Sequence, residues 1–255
     1  MAHHSWVGLG ATLGLAALAA CSAPPAAPPA PPAPPARSTP AACTALLAFD
    51  GTTVTYPGGD PSAPAPSADQ VKRWAATAVA PIGGLAANIP ADYADEVATL
   101  RTAVTGAQNG TPINTNDPTI VGASTTLDKW GRDNCGFATM DVTNDGTDLA
   151  GVPATLPKGP LSFSFADSGA PAEKAGYVLV VAKVKDGAKY TLDGIRDGSV
   201  DFTSVADVVG IAQPTKEEPE AFSTATLTPG KYLVVTPIGP PPQFTGILAG
   251  EFAVS

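Results

Sequence analysis

The chain has 255 residues, with 14 Lys plus Arg against 23 Asp plus Glu and a formal net charge of −9. Nucleic acid is excluded as an electrostatic partner, and so are anionic lipid headgroups, because both are held by clustered Lys and Arg that release counterions. Beyond its biased N-terminal stretch, the sequence is long enough for one large domain or two small ones around a real core.

The N-terminal apolar run from Trp6 closes on Leu18-Ala19-Ala20-Cys21. It is shorter than the roughly 20 apolar residues that span a bilayer. Its form is that of a lipoprotein signal, although no Lys or Arg precedes Arg37. Residues 1–20 are therefore expected to be removed, leaving Cys21 as the lipidated residue, carrying diacylglycerol and palmitate. The acyl chains at Cys21 would tie the protein to a membrane on its extracytoplasmic side. His3 and His4 are the only histidines, so processing removes every imidazole base or ligand. Residues 21–42 read as a Pro/Ala-rich linker in extended polyproline II, a composition that cannot bury a core.

Lipidation of Cys21 leaves Cys43 and Cys135 as the remaining cysteines. In an oxidising compartment they are expected to pair as a structural disulfide. There is no C-x-x-C spacing and no neighbouring histidine to suggest a reactive thiol.

Residues 43–136 read as a helical domain. Ser67 with Gln70 three residues on is a capping box. Pro90 and Pro118 suit first helical positions, where no N–H is needed, and Asp117 is placed to cap the latter. Three helices follow. Tyr93, Val97, Leu100 and Val104 share one face of the second; Ile120, Val121, Leu127 and Trp130 mark the third. Trp74 and Trp130 are expected as core anchors, and residues 106–116 as a loop.

From residue 137 to 255 the period becomes two. Leu161, Phe163 and Phe165 alternate with Ser162 and Ser164, 177–184 is a nearly continuous β-branched run, and further strands fall at 222–227, 232–235 and 252–254. Gly159-Pro160, Asp186-Gly187, Asp197-Gly198 and Pro229-Gly230 punctuate them. The expectation is an α+β protein, with a small N-terminal helical bundle packed on a C-terminal antiparallel Greek-key β-sandwich. Cys135 would then tie the start of the helical part to the first strand.

The segments GPLSFSF at 159–165, YVLVVAKV at 177–184, LTPGKYLVV at 227–235 and GEFAV at 250–254 resemble, in order and turn chemistry, the cupredoxin fold of plastocyanin-like and azurin-like proteins. That resemblance implies a sandwich and a copper site of two histidines, a cysteine and often a methionine. The positions that correspond are Glu173-Lys174-Ala175, Thr236, Gln243 and Gly246-Ile247, and none supplies imidazole, thiolate or thioether. No cofactor and no bound metal are therefore expected.

Asp141-Val-Thr-Asn-Asp-Gly146 imitates a calcium loop, but its twelfth position is Val152, so a turn built on Asx residues is expected. Glu217, Glu218 and Glu220 around Pro219 read as a solvated loop. Without histidine, triads and metal-hydrolase motifs fail. The functional expectation is a non-enzymatic binding or scaffolding module on a lipid-anchored stalk, with an envelope protein or a small ligand as partner. The alternative is an atypical cupredoxin that binds copper or transfers electrons, using carboxylates and Met140 at a weak site, which rests on fold analogy alone.

Overall fold

The computed structural model describes residues 37–59, 63–168, 170–216, 218–241 and 243–255. The expected signal peptide, Cys21 and most of the linker lie outside them. Four helices come first: α1 (Thr39–Thr53), α2 (Ala68–Asn88), α3 (Ala94–Gln108) and α4 (Pro118–Asn134). The Ser67 hydroxyl accepts from Gln70 N at 3.3 Å and Gln70 Oε1 accepts from Ser67 N at 2.9 Å, which completes the capping box. Asp117 accepts from Thr119 N at 2.9 Å at the start of α4. Each side chain takes up an N–H that has no partner inside its helix.

The first helix corrects the expected linker boundary at residue 42. Pro40 occupies the first helical turn, where a missing N–H costs nothing, so the proline tract ends by starting a helix. Pro90 differs in the other direction. It precedes a 3-10 turn at Ala91–Tyr93, and α3 begins only at Ala94. α3 also runs to Gln108, which shortens the expected loop.

The helices bury one apolar core around Leu46, Trp74, Leu85, Val104 and Leu127. Each fully buried side chain of this size contributes about 1.5–3 kcal/mol. Gly131 lets α1 approach α4, since a Cβ there would collide with Leu46 Cδ2. Beside that contact Cys43 and Cys135 form a disulfide with their Cα atoms 5.7 Å apart. Cys135 caps the C-terminus of α4, so the bridge joins α1 to α4 within the helical part. It does not reach the first strand, which starts at Ala138.

Nine strands follow in two sheets: β1 (Ala138–Asn144), β2 (Leu149–Ala150), β3 (Thr155–Leu156), β4 (Gly159–Asp167), β5 (Leu179–Val184), β6 (Ala206–Ala212), β7 (Glu220–Leu227), β8 (Gly230–Ile238) and β9 (Gly246–Val254). Their order is β2-β1-β4-β7 in one sheet and β3-β9-β8-β5-β6 in the other. The protein is thus α+β, with helices segregated from a two-sheet sandwich. The sheets are mixed where antiparallel sheets were expected: β1 runs parallel to β4, and β3 to β9, while the other pairs are antiparallel.

Phe163, Phe165, Leu161, Tyr232 and Val234 fill the space between the sheets. The outer face of the five-stranded sheet is covered by two short helices, α5 (Leu192–Arg196) and α6 (Phe202–Val205), through Ile195 and Val205. A sheet buried on both faces needs continuous apolar strands, which accounts for the run ending in β5 and for 232–235. The outer face of the four-stranded sheet meets the helical bundle. Ser162 lies opposite Thr224 and Ser164 opposite Phe222 in the β4/β7 ladder, and all four are buried. The serines that alternate along β4 therefore face α4 and not water.

Candidate functional site

The helical core and the inter-sheet core remain distinct clusters, and their seam is partly polar. On α1 the buried stripe runs Ala42, Ala45, Leu46, Phe49 and then Asp50; on α4 it runs Val121, Thr125 and then Asp128. Both stripes thus place a carboxyl group where helical spacing calls for an apolar side chain. Asp50 is 3% exposed and Asp128 2%. Thr224 on β7 donates its N–H to Asp50 Oδ2 at 3.2 Å and its hydroxyl to the same oxygen. The two carboxyl groups lie close enough for each to shift the titration of the other. Asp128 Oδ1 is buried with no hydrogen-bond partner among the described residues.

Two adjacent buried carboxyls cannot both ionise, so one of them must keep a proton. Burial pushes Asp50 up to about 6, against the hydrogen bonds from Asp128 and Thr224 that favour its charged form. Burial pushes Asp128 well above the ordinary carboxylate range, and the Asp50 charge and hydrogen bond push it in the same direction. The stronger upward push falls on Asp128, which favours the proton on Asp128 and the charge on Asp50, where Thr224 donates to it. At neutral pH the pair carries one negative charge.

That charge borders a cavity of about 230 Å³ between the helices and the sandwich. The volume is far more than one water occupies and approaches the range of small-molecule sites. Phe49 and Asp50 come from α1, Trp74 from α2, Leu100 and Val104 from α3, Asp128 from α4, and Phe222 from β7. Most of the lining is apolar, and among the described residues it contains no Lys, Arg or His. A second, larger trough of about 740 Å³ lies along residues 184–192 with Gly230, Lys231 and Glu251. Among the described residues, no buried side-chain atom without a hydrogen bond lines that trough. The seam cavity is the one that carries unusual chemistry.

The walls of the seam cavity are held by side chains whose own polar ends are already used. Trp74 packs edge-on against Tyr56, ring centroids 4.9 Å apart, and its Nε1 donates to Thr52 O at 2.8 Å. The Tyr56 hydroxyl accepts from Ile113 N at 2.6 Å and is 3.1 Å from Ile113 O, to which it donates. Asn116, just before α4, accepts at Oδ1 from the Tyr177 hydroxyl at 2.7 Å and from Gln213 Nε2 at 2.6 Å. These bonds tie the loop before α4 to the sandwich beside the cavity.

Trp130 is a core residue, 5% exposed and 6.2 Å from the Tyr93 ring. Trp74 is a core anchor as expected, 7% exposed, and one side of it also lines the cavity. Cys21 lies outside the described residues. Glu218 and Glu220 are exposed, while Glu217 lies outside the described residues. At the calcium-like loop Asn144 Oδ1 accepts from Gly146 N at 2.8 Å, and Asp145 Oδ1 accepts from Thr147 N and Asp148 N. These are Asx turns, and the hydrogen bonds from Thr147 and Asp148 pull Asp145 down to about 2. Asp141 instead pairs with Arg132 at 2.7 Å.

Residues 173–175, which the resemblance aligns with a copper-site position that lacks its ligand, and the adjoining Gly176 lie beside Ile238, Gly239 and Thr245 at one end of the sandwich. Gly176 bridges Ile238, Gly239 N donates to Ala175 O at 2.9 Å, and the Thr245 hydroxyl donates to Glu173 O at 3.2 Å. Thr236 is fully buried there and Gln243 is exposed. This donor set does not fit copper, because a hydroxyl and an amide are poor partners for a soft ion. Met140 is 2% exposed inside the inter-sheet core. Among the described residues, no three His, Cys, Asp or Glu side chains converge on a point that would hold a metal ion. No described helix is long and apolar enough to cross a membrane. No known family model matches this chain, and no characterised protein shows significant sequence similarity to it.

Sequence reasoning missed both members of the carboxyl pair. The available signal was an aspartate on the apolar stripe of each helix, at positions far apart in the chain.

Proposed function

We propose that the protein is a lipid-anchored, non-enzymatic binding module of the extracytoplasmic envelope, and that its ligand is a small molecule held at the seam between helices and sandwich. The observation that carries this reading is the apolar cavity of about 230 Å³ bordered by the buried Asp50–Asp128 pair. A cavity of that size in an otherwise packed seam forfeits dispersion contacts. A bound apolar body restores them. The Leu18–Cys21 motif and the Pro/Ala tract support the anchor and stalk. The pairing of β4, β5, β7, β8 and β9 in a two-sheet sandwich supports the cupredoxin-like reading of residues 137–255 as a scaffold without its metal.

The test is binding of the neutral fluorophore N-phenyl-1-naphthylamine to the full chain. Saturable one-to-one binding with enhanced emission is expected. It should be lost in Ala103→Trp, which fills the cavity from α3, while the melting temperature stays within a few degrees. Equal binding by the filled variant, or no saturable binding at all, contradicts the proposal.

A further inference from the structure

A buried carboxylate normally faces a cation or surrenders its charge, because an isolated charge in an apolar setting is costly. The Asp50–Asp128 pair does neither fully. Two neighbouring buried carboxyls cannot both ionise, and Thr224 supplies two hydrogen bonds to Asp50. Among the described residues, the cavity lining contains no Lys, Arg or His. Lys129 and Arg132 of α4 lie over the Phe222 ring, 5.7 Å and 5.9 Å from its centroid. Arg132 is further engaged by Asp141.

The counter-charge is thus absent from the lining, and Asp128 Oδ1, on a side chain 98% buried, is left without a partner. Most of the remaining lining is aliphatic and aromatic, with Thr53, Ser124, Thr125, Gln213 and Ser223 among its neutral polar members. Trp74 and Tyr56 meet edge to face, and aromatic faces attract cations as well as apolar groups. An anion would face the Asp50 charge. A neutral ligand would leave that charge as it is.

We propose that the seam cavity takes a monocationic amphipath, an ammonium group on a compact hydrophobic body, with the ammonium hydrogen-bonded to the Asp50–Asp128 pair and the body packed among Trp74, Leu100 and Phe222. The three donors of a primary ammonium match the acceptors that two neighbouring carboxyl groups offer, the unpartnered Asp128 Oδ1 among them. This proposal rests on the seam cavity being a ligand site, and it adds the ligand's charge.

Three probes of one shape separate the two ideas: 4-phenylbutylammonium, 4-phenylbutanol and 4-phenylbutyrate, each titrated calorimetrically into the full chain at neutral pH. The ammonium should bind at least tenfold more tightly than the alcohol, and the butyrate most weakly. Asp128→Asn supplies a permanent neutral donor to Asp50 and preserves the single charge, so the preference should persist. In Asp50→Asn/Asp128→Asn the charge is gone, and ammonium and alcohol should bind within about twofold of each other. Ammonium and alcohol binding equally to the wild type overturns the cation proposal and leaves the cavity reading intact. Failure of all three probes to bind overturns both. The wild-type comparison is decisive even where the double variant does not fold.

Discussion

Asp50 of α1 and Asp128 of α4 meet as a pair of buried carboxyl groups at the seam between the helices and the sandwich, each shifting the titration of the other. Their proximity makes protonation a term in the stability of the whole fold. In an unfolded chain both would titrate near 4, whereas in the folded protein both hold protons to higher pH. The folded state therefore binds more protons between pH 4 and pH 6, and beyond that because of Asp128. Stability falls as pH rises through this window.

Thermal melts of wild type and Asp50→Asn/Asp128→Asn from pH 4 to pH 8 check the sign. The variant's melting temperature relative to wild type should climb with pH. The shift of Asp50 alone, from 3.8 to about 6, corresponds to on the order of 3 kcal/mol by pH 8. A difference that is flat across the range would show that the pair titrates normally.

The Cys43–Cys135 bridge closes a loop with a sequence separation of 92. On the chain-entropy treatment its loss costs about 4–5 kcal/mol, mostly by freeing the unfolded chain. Cys43→Ser/Cys135→Ser should lower the urea midpoint substantially, with the helical circular dichroism signal retained below that midpoint. An unchanged midpoint would mean that packing around Leu46 and Gly131 alone fixes α1 against α4.

Removing the Tyr56 hydroxyl tests how the cavity wall is held. Tyr56→Phe loses both bonds to Ile113 and leaves a half-buried N–H and C=O unpaired, at a cost of about 1–3 kcal/mol. Hydrogen exchange at Ile113 and its neighbours should speed up well beyond the global change. Uniform acceleration would show that this loop is held by other contacts.

For the proposed anchor, metabolic labelling with a palmitate analogue should tag the wild type and not Cys21→Ala. Equal tagging of both would contradict lipidation at Cys21.

Local chemistry made much of this fold legible. The Ser67–Gln70 box, the Asp117 cap and the alternation of Leu161, Phe163 and Phe165 each rest on interactions within a few residues, and each is present. Long-range burial was harder to read. Ser162 and Ser164 carry a polar-out pattern, yet α4 covers them. Pro40 belongs by composition to the proline tract and by position to α1. Strand β6 and the short helices α5 and α6 lack a long apolar period, and packing on the five-stranded sheet defines them. The Asp50–Asp128 pair needed two distant helix stripes to be superposed, which no local pattern reports.

The most direct measurement is a nuclear magnetic resonance titration of the isotope-labelled full chain with 4-phenylbutylammonium, following the carboxyl carbons of Asp50 and Asp128 together with the Trp74 indole. Saturable shifts at all three, with little change at Trp130 in the helical core, are expected. Shifts confined to the trough beside Tyr190 and Glu251, or none that saturate, would contradict a ligand site at the seam.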